Sequence, residues 1–286
     1  VSVQIASGKS VAVKGLGGYF LMCDALNEEA VKRLRHRKNR DAKPFAVMFR
    51  DISEVRKYCF LDTHEEKELT SWRRPILLLN QKKVLSPSVS NGLNTTGAML
   101  PYMPFHYLMF RSLQTPAVVL TSGNISDDPI ITDDTEAEKN LSPIADSILS
   151  YNRNIINRAD DSVIRMINHQ VSIIRRSRGF VPRPVDLKLN AEGILALGAE
   201  QKNSFSIGKG YQAIMSQYIG DLKNLSTYEF FIDSIGRFSK LFRFTPYYVA
   251  CDLHPDYLST QHAEILEKEL KIPVFRIQHH HAHIAS

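Results

Sequence analysis

Apolar residues fall along this chain in two patterns, short unbroken runs and helix-spaced stripes. FAVMF, PILLL and PAVVLTS belong to the first kind and predict strands buried on both faces, near the middle of a sheet. SVAVKGLGGYFLMCDA begins as a strand and breaks at Gly15, Gly17 and Gly18; NEEAVKRLRHRK then carries Ala30, Val31 and Leu34 at helical spacing, so the segment reads as strand, glycine turn and helix. VIRMI and VSIIRRS, separated by Asn168, His169 and Gln170, predict a hairpin. At GFVPRPVDLKLNAEG the composition changes, and Pro182 and Pro184 stiffen a connection that puts a domain boundary within Arg183 to Glu192. Beyond it, ILALGAEQKNSFSIGKG reads as strand, glycine turn and strand. TYEFFIDSIGRFSKLFRF spaces Phe230, Ile235, Phe238, Leu241 and Phe242 as a helix does, and YYVACDL follows as a strand. A further helix from Thr260 to Leu270, a strand PVFRIQ and a histidine run complete the pattern. Two α/β domains are predicted, residues 1–188 and 189–286, the second unfinished at its end.

Composition narrows this only a little. At 286 residues and 43% apolar content the chain can bury two modest cores. No run approaches the roughly 20 apolar residues of a membrane span, the first residues lack the pattern of a signal peptide, and no membrane partner is expected. Cys23, Cys59 and Cys251 are scattered, odd in number and without a CxxC pair, which argues against a disulfide framework and fits a reducing cytoplasm. A formal charge of +6 suits a polyanion or a small anionic substrate such as a nucleotide. The basic residues gather from Lys32 to Lys43 and from Arg175 to Arg183.

Polar groups cluster where strands end. KNRDAKPF offers Lys38, Arg40 and Lys43 after a helix, a mixture of point charges and a planar fork suited to phosphate, with a solvated turn as the competing account. TSGNISDDP follows the strand AVVL, and the C-terminal ends of strands in open α/β sheets are where ligands collect. There Ser122 and Asn124 are candidates for phosphate or carboxyl binding and Asp127 or Asp128 for Mg²⁺, although an Asx turn explains the same residues. NRADDSVIR and RRSRGFVPRP add Ser162, Arg175 and Arg178. In the second domain GAEQKNSF sets Glu200, Lys202, Asn203 and Ser204 in a turn that either cradles phosphates or merely joins two strands. Neither GxxxxGK[ST] nor GxGxxG occurs. Last, HHHAHIAS puts His279 and His283 four apart, where a helix brings both imidazoles to one divalent ion; a third ligand, an Asp or another His, must come from elsewhere. His280 and His281 are spare.

These motifs together resemble the HypF family, the carbamoyltransferases that mature NiFe hydrogenases. AVKGLGGYFLMCDA, RKNRDAKPFAVM, LTSGNISDDPI and RRSRGFVPRP are similar to its YrdC-like module. LALGAEQKNSF, SQYIGDL, CDLHPDY and QHHHAHIAS are similar to the start of its carbamoyltransferase module. The resemblance implies a YrdC-like open twisted mixed sheet with helices, followed by a partial lobe of the actin-like ATPase (ribonuclease H-like) class. It also implies a two-step reaction. Carbamate, derived from carbamoyl phosphate, and ATP with Mg²⁺ give carbamoyl-adenylate and pyrophosphate, and the carbamoyl group then passes to the C-terminal cysteine of a HypE-type acceptor protein for cyanide ligand synthesis.

On this resemblance Lys38 and Arg40 match a KxR pair that neutralises charge during adenylation. Ser122 and Asn124 match an SxN pair, and Lys14, Lys43, Ser162 and Arg175 complete the nucleotide and carbamate contacts. His279 and His283 match paired ligands for zinc or iron. The family's acylphosphatase-like and zinc-finger segments have no counterpart here, so the chain reads as an internal fragment with a nearly whole adenylation site and an incomplete transferase site. Two competing readings are a threonylcarbamoyl-adenylate synthase for tRNA modification, against which the LALGAEQKNSF and HHHAH domain argues, and a weak double-stranded RNA-binding module favoured by the charge.

Overall fold

The structure, a computed structural model, describes residues 1–124 and 128–285. The chain divides into two compact units, the second beginning at Phe180. In the first, the order is α1 (Ser2–Ala6), β1 (Val11–Lys14), β2 (Tyr19–Asp24), α2 (Glu28–Arg37), β3 (Ala46–Phe49), α3 (Ile52–Tyr58), α4 (Thr63–Thr70), β4 (Ile76–Asn80) and α5 (Pro87–Ser90). It continues with β5 (Thr95–Met99), α6 (Pro104–Ser112), β6 (Ala117–Ser122), α7 (Asp134–Leu141), β7 (Ser147–Leu149), β8 (Val163–Ile167) and β9 (Gln170–Arg175). The strands form one mixed sheet, ordered β7-β1-β2-β6-β3-β5-β4-β8-β9.

The apolar runs FAVMF and PAVVLTS become β3 and β6 and pair antiparallel at its centre, where Val47, Met48, Val118 and Val119 are fully buried. The glycine-rich turn departs from the strand-turn-helix expectation: it joins β1 to β2 as an antiparallel pair, and α2 starts only after Asn27 caps it by accepting from the Ala30 N–H. The hairpin forms as predicted, with Asn168 and His169 at φ 49° and 60°, the left-handed pair that matches strand twist.

The second unit contains β10 (Val185–Asp186), β11 (Ile194–Ala196), β12 (Ser206–Lys209), β13 (Gln212–Met215), α8 (Leu225–Phe242), β14 (Tyr248–Asp252), α9 (Leu258–Leu270), β15 (Val274–Ile277) and α10 (His279–Ala285). Its sheet runs β10-β13-β12-β11-β14-β15, with β11, β14 and β15 parallel and the rest antiparallel. The second compact unit takes in residues from Phe180 onward, ahead of the stretch Arg183 to Glu192, because Val185 and Asp186 pair with Ala213 and Gln212 and so join the second sheet. On α8 the buried stripe is Phe231, Ile235 and Phe238, whereas Leu241 is exposed. Phe205 packs edge-on against both Phe231 and Phe238 and ties α8 to the sheet.

Gly208 of β12 lies against Ala191, whose carbonyl oxygen would stand 1.9 Å from an added Cβ. Gly208→Ala is therefore expected to destabilise the second unit by about 1–3 kcal/mol or more, read as a lower urea midpoint with an unchanged slope.

Candidate functional site

Two distant segments of the first unit meet at the end of α2. Lys38 follows the last turn of that helix, is only 3% exposed, and donates to Ser122 O at 2.8 Å, Asn124 O at 2.7 Å and Asn124 Oδ1 at 2.7 Å. Ser122 closes β6 and donates from its hydroxyl to the same Oδ1 at 2.7 Å. The shared oxygen fixes the amide orientation, because an acceptor held by two donors must be the carbonyl side of Asn124. The sequence-predicted pairs Lys38/Arg40 and Ser122/Asn124 are thus brought together, from residues more than eighty apart. Burial, reinforced by Arg40, pulls the Lys38 ammonium down to about 7, against which Asp160 acts. The three oxygen acceptors favour the charged form, so this ammonium is poised rather than suppressed.

Arg40 donates to Lys43 O at 3.1 Å and Pro44 O at 2.8 Å and lies over the Phe45 ring, 5.2 Å from its centroid. Burial together with Arg35 and Arg175 brings its guanidinium down to about 10. Arg175 donates from Nε to Asp161 O, and its Nη1 stands 3.9 Å from Asp160. Gly17 allows the glycine turn to approach this segment: a Cβ there would fall 2.3 Å from Ala159 O. Lys38, Arg40, Arg175 and Asp160 are therefore near enough to act on one another as a mainly cationic cluster, an arrangement that suits an anion carrying several oxygens.

Other candidates have inward tasks. Lys14 is 1% exposed and is held by Asp134 at 2.6 and 2.9 Å and by Tyr151 O, while Tyr19 Oη donates to the same carboxylate at 2.7 Å. A lysine so paired braces β1 against α7. Ser162 is fully buried, donates to Arg178 O and accepts from Ser177 N, so it joins the ends of β8 and the Arg178 turn. Lys43 is exposed and contributes its backbone carbonyl to Arg40. Asp127 lies outside the described residues. Asp161, which sequence reasoning does not single out, is a buried carboxylate paired with Arg178 at 2.7 Å, and its partner lies 17 residues away in sequence.

In the second unit, Asn203 is 1% exposed and its amide donates to Leu197 O and Ala199 O, closing the turn after β11 from within. Glu200 accepts from Leu258 N at 2.7 Å and so caps α9. Lys202 is exposed and Ser204 half-buried in the same turn. His279 and His283 do share a helix face, with Nε2 atoms 3.2 Å apart, and Asp252 Oδ2 holds His279 Nδ1 at 2.7 Å. A ring nitrogen fixed by a carboxylate leaves the other aimed outward, as metal-ligating histidines require. The pair borders a cavity of about 290 Å³ lined also by Gly198, Cys251 and Ile277. Two imidazoles supply half of a divalent site, and among the described residues no group of three His, Cys, Asp or Glu side chains could hold a metal. Among the described residues no helix is long and apolar enough to cross a membrane.

Comparison with known proteins agrees with this layout. Residues 3–177 match the Telomere recombination family of Sua5, YciO and YrdC, and residues 189–286 match the HypF Kae1-like domain. Carbamoyltransferase HypF2 of Cupriavidus necator is 39% identical over 99% of this chain and 37% of its own length. A solved full-length HypF in its phosphate- and nucleotide-bound form is 48% identical with a TM-score of 0.93, covering 98% of this chain and 44% of that one. The T. kodakarensis HypF structure is 43% identical with a TM-score of 0.94, over 98% and 37%. The chain thus spans well under half the length of these relatives. Its YrdC-like twisted sheet, its second α/β lobe and these similarities along nearly every residue show that the chain belongs to the HypF family.

Proposed function

We propose that the first unit forms carbamoyl-adenylate, and that the chain is part of a carbamoyltransferase acting in NiFe hydrogenase maturation. The carrying observation is the convergence of Lys38, Ser122 and Asn124 beside Arg40. A carbamate oxygen attacks the α-phosphorus of ATP, the bond to the bridging oxygen breaks, and pyrophosphate leaves as a polyanion that Mg²⁺ accompanies. Charge grows on the departing oxygens, and preorganised cations placed there stabilise it without reorganisation. Arg40 and Arg175 take this role. Lys38 holds the end of β6 to the end of α2 and sets its positive charge beside the acyl or phosphate oxygens, while Asn124 positions the nucleotide or carbamate.

The carbamoyl group would then pass to the C-terminal cysteine thiolate of a HypE-type acceptor. In the second unit His279 and His283 would be ligands to a divalent ion, zinc or iron, which when bound would hold phosphates or polarise the acyl oxygen. Asp252 fixes the tautomer of His279 for that purpose. Three antiparallel strands followed by parallel β14 and β15 support the actin-like ATPase, ribonuclease H-like class for this lobe.

The test is pyrophosphate exchange into ATP with Mg²⁺, with ammonium bicarbonate as carbamate source against threonine plus bicarbonate. Carbamate-dependent exchange is expected. Threonine dependence would move the chain to tRNA modification, and no exchange with either substrate would refute adenylation.

A pH signature follows from Lys38. Its pKa is lowered by folding to about 7, so above that pH the unfolded chain holds more protons and stability rises with pH toward 10.5. An anion binding beside the ammonium acts the other way and raises its pKa. Nucleotide binding at pH 8 should therefore take up a proton, measured as a dependence of calorimetric enthalpy on buffer ionisation, and should weaken by up to about tenfold per pH unit above 7. Binding enthalpy independent of buffer would exclude Lys38 from the nucleotide contact.

A further inference from the structure

We infer that Arg35 is the positioning residue of the adenylation site, a guanidinium that sets the 40–44 loop and thereby aims Arg40; this rests on the adenylation reading above. Arg35 sits in the last turn of α2 and reaches both ways. Its Nη1 donates to Arg40 O at 2.6 Å, Lys43 O at 3.1 Å and Asp41 O at 3.3 Å. Its Nε and Nη2 donate to Ser88 O at 3.2 and 2.7 Å, and its Cζ lies 4.6 Å from the Phe45 ring centroid. One planar fork therefore gathers four backbone carbonyls, three of them from a loop whose own side chains are largely exposed.

The anchor on the far side is itself fixed. Glu28, two helical turns before Arg35 and on the same face of α2, accepts from Ser86 Oγ, from Ser88 Oγ at 2.7 Å and from Ser88 N at 3.2 Å. Despite partial burial, which acts in the opposite direction, these bonds draw the Glu28 carboxyl down to about 2, so the anchor stays ionised well into acid. Asn91, at the end of α5, adds bonds to Asp41 O and Ala42 O. Helix α2 thus clamps α5 with one residue and hangs the loop from α5 with another.

Arg40 depends on that loop twice over. Its backbone carbonyl is an Arg35 acceptor, and its guanidinium is oriented by Lys43 O and Pro44 O, the first of which Arg35 also holds. Two cations pack on one aromatic ring and share one carbonyl. Like charges would separate if the loop relaxed, so releasing Arg35 is expected to move Arg40 and not merely to loosen the surface.

Exchange kinetics of the full chain test this. Arg35→Ala should lower kcat by about 100-fold, the scale of a displacement of roughly 1 Å at a reacting centre, with the KM for ATP changed far less. The decisive measurement is a cycle with Arg40→Ala: in that background the Arg35 substitution should cost almost nothing further in residual exchange, because its target is gone. The same factor in both backgrounds would overturn the assignment, as would unchanged kcat in Arg35→Ala. Should Arg35→Ala fail to fold, the cycle runs with Asn91→Gly, which suits the left-handed backbone at φ 53° and removes only the amide. About tenfold is then expected, again vanishing beside Arg40→Ala. Exchange without coupling would sink the Arg35 assignment alone, whereas no exchange by the unsubstituted chain would sink the adenylation reading and the assignment with it.

Discussion

Lys38→Met is expected to lower carbamate-dependent pyrophosphate exchange by about 10²–10³-fold while the protein stays folded. The two halves of this expectation have separate causes. Methionine replaces the aliphatic stem of lysine and removes the charge, so transition-state stabilisation is lost at a site where little water competes. The fold loses three hydrogen bonds at the end of β6 but is relieved of a buried cation, and leaving acceptors unpaired costs about 1–3 kcal/mol against that relief. Asn124 loses one of the two donors to its Oδ1 as well, and Ser122 Oγ still donates to that oxygen. Exchange assays beside urea melts separate the effects: a large kinetic loss with a midpoint shift of under about 2 kcal/mol supports the assignment, and wild-type kcat removes Lys38 from the chemistry.

Asp161→Ala should be the most damaging single change for stability, at about 3–5 kcal/mol or a loss of roughly 10 °C in Tm. Asp161 is 3% exposed, and its Oδ1 takes Nε and Nη2 of Arg178 at 2.8 and 2.7 Å. Burial pushes its carboxyl up, and Arg178 opposes this. Arg178 also donates to Arg73 O and Arg74 O and stacks 3.8 Å from the Tyr102 ring centroid, so it cannot swing into water when its counter-ion is removed. The cost is that of a cation stranded without a partner, more than that of a lost attraction. Asp161→Asn, which keeps an acceptor, should cost clearly less; equal losses from the two variants would refute the charge argument.

Much of the architecture was legible because the central strands are buried on both faces and therefore announce themselves as unbroken apolar runs. β5 was not. TTGAM contains two threonines and a glycine, and Gly97 is there because Ile76 of β4 comes within 3.0 Å of where a Cβ would stand. Sequence shows a glycine but not the neighbour that requires it. β2 hid in a segment whose glycines suggested a turn into a helix, since no local signal tells a β-turn from a strand-to-helix turn.

For the site, residue type marked Lys38, Arg40, Ser122 and Asn124 as polar groups at strand and helix ends, and only family resemblance linked them. Their meeting is a property of β6 lying beside β2 and β3, with α2 inserted between the latter two in sequence. Lys14, Ser162 and Asn203 carry the same functional groups as Lys38, Ser122 and Asn124. They differ in what surrounds them, and burial with a ready partner is invisible along a chain. The same holds for Arg35: in sequence it is one more basic residue in RLRHRK, and its four carbonyl acceptors appear only when α5 is brought alongside.

The short strand β10 has a practical bearing on how the two units can be separated. It covers the outer edge of β13, although it lies before the stretch that matches the second domain's own family. A fragment starting at residue 189 would uncover the β13 edge at Gln212 and Ala213, and an uncovered edge recruits a strand from another copy. Such a fragment should self-associate in solution, whereas one starting at Phe180 carries its own guard strand and should remain monodisperse.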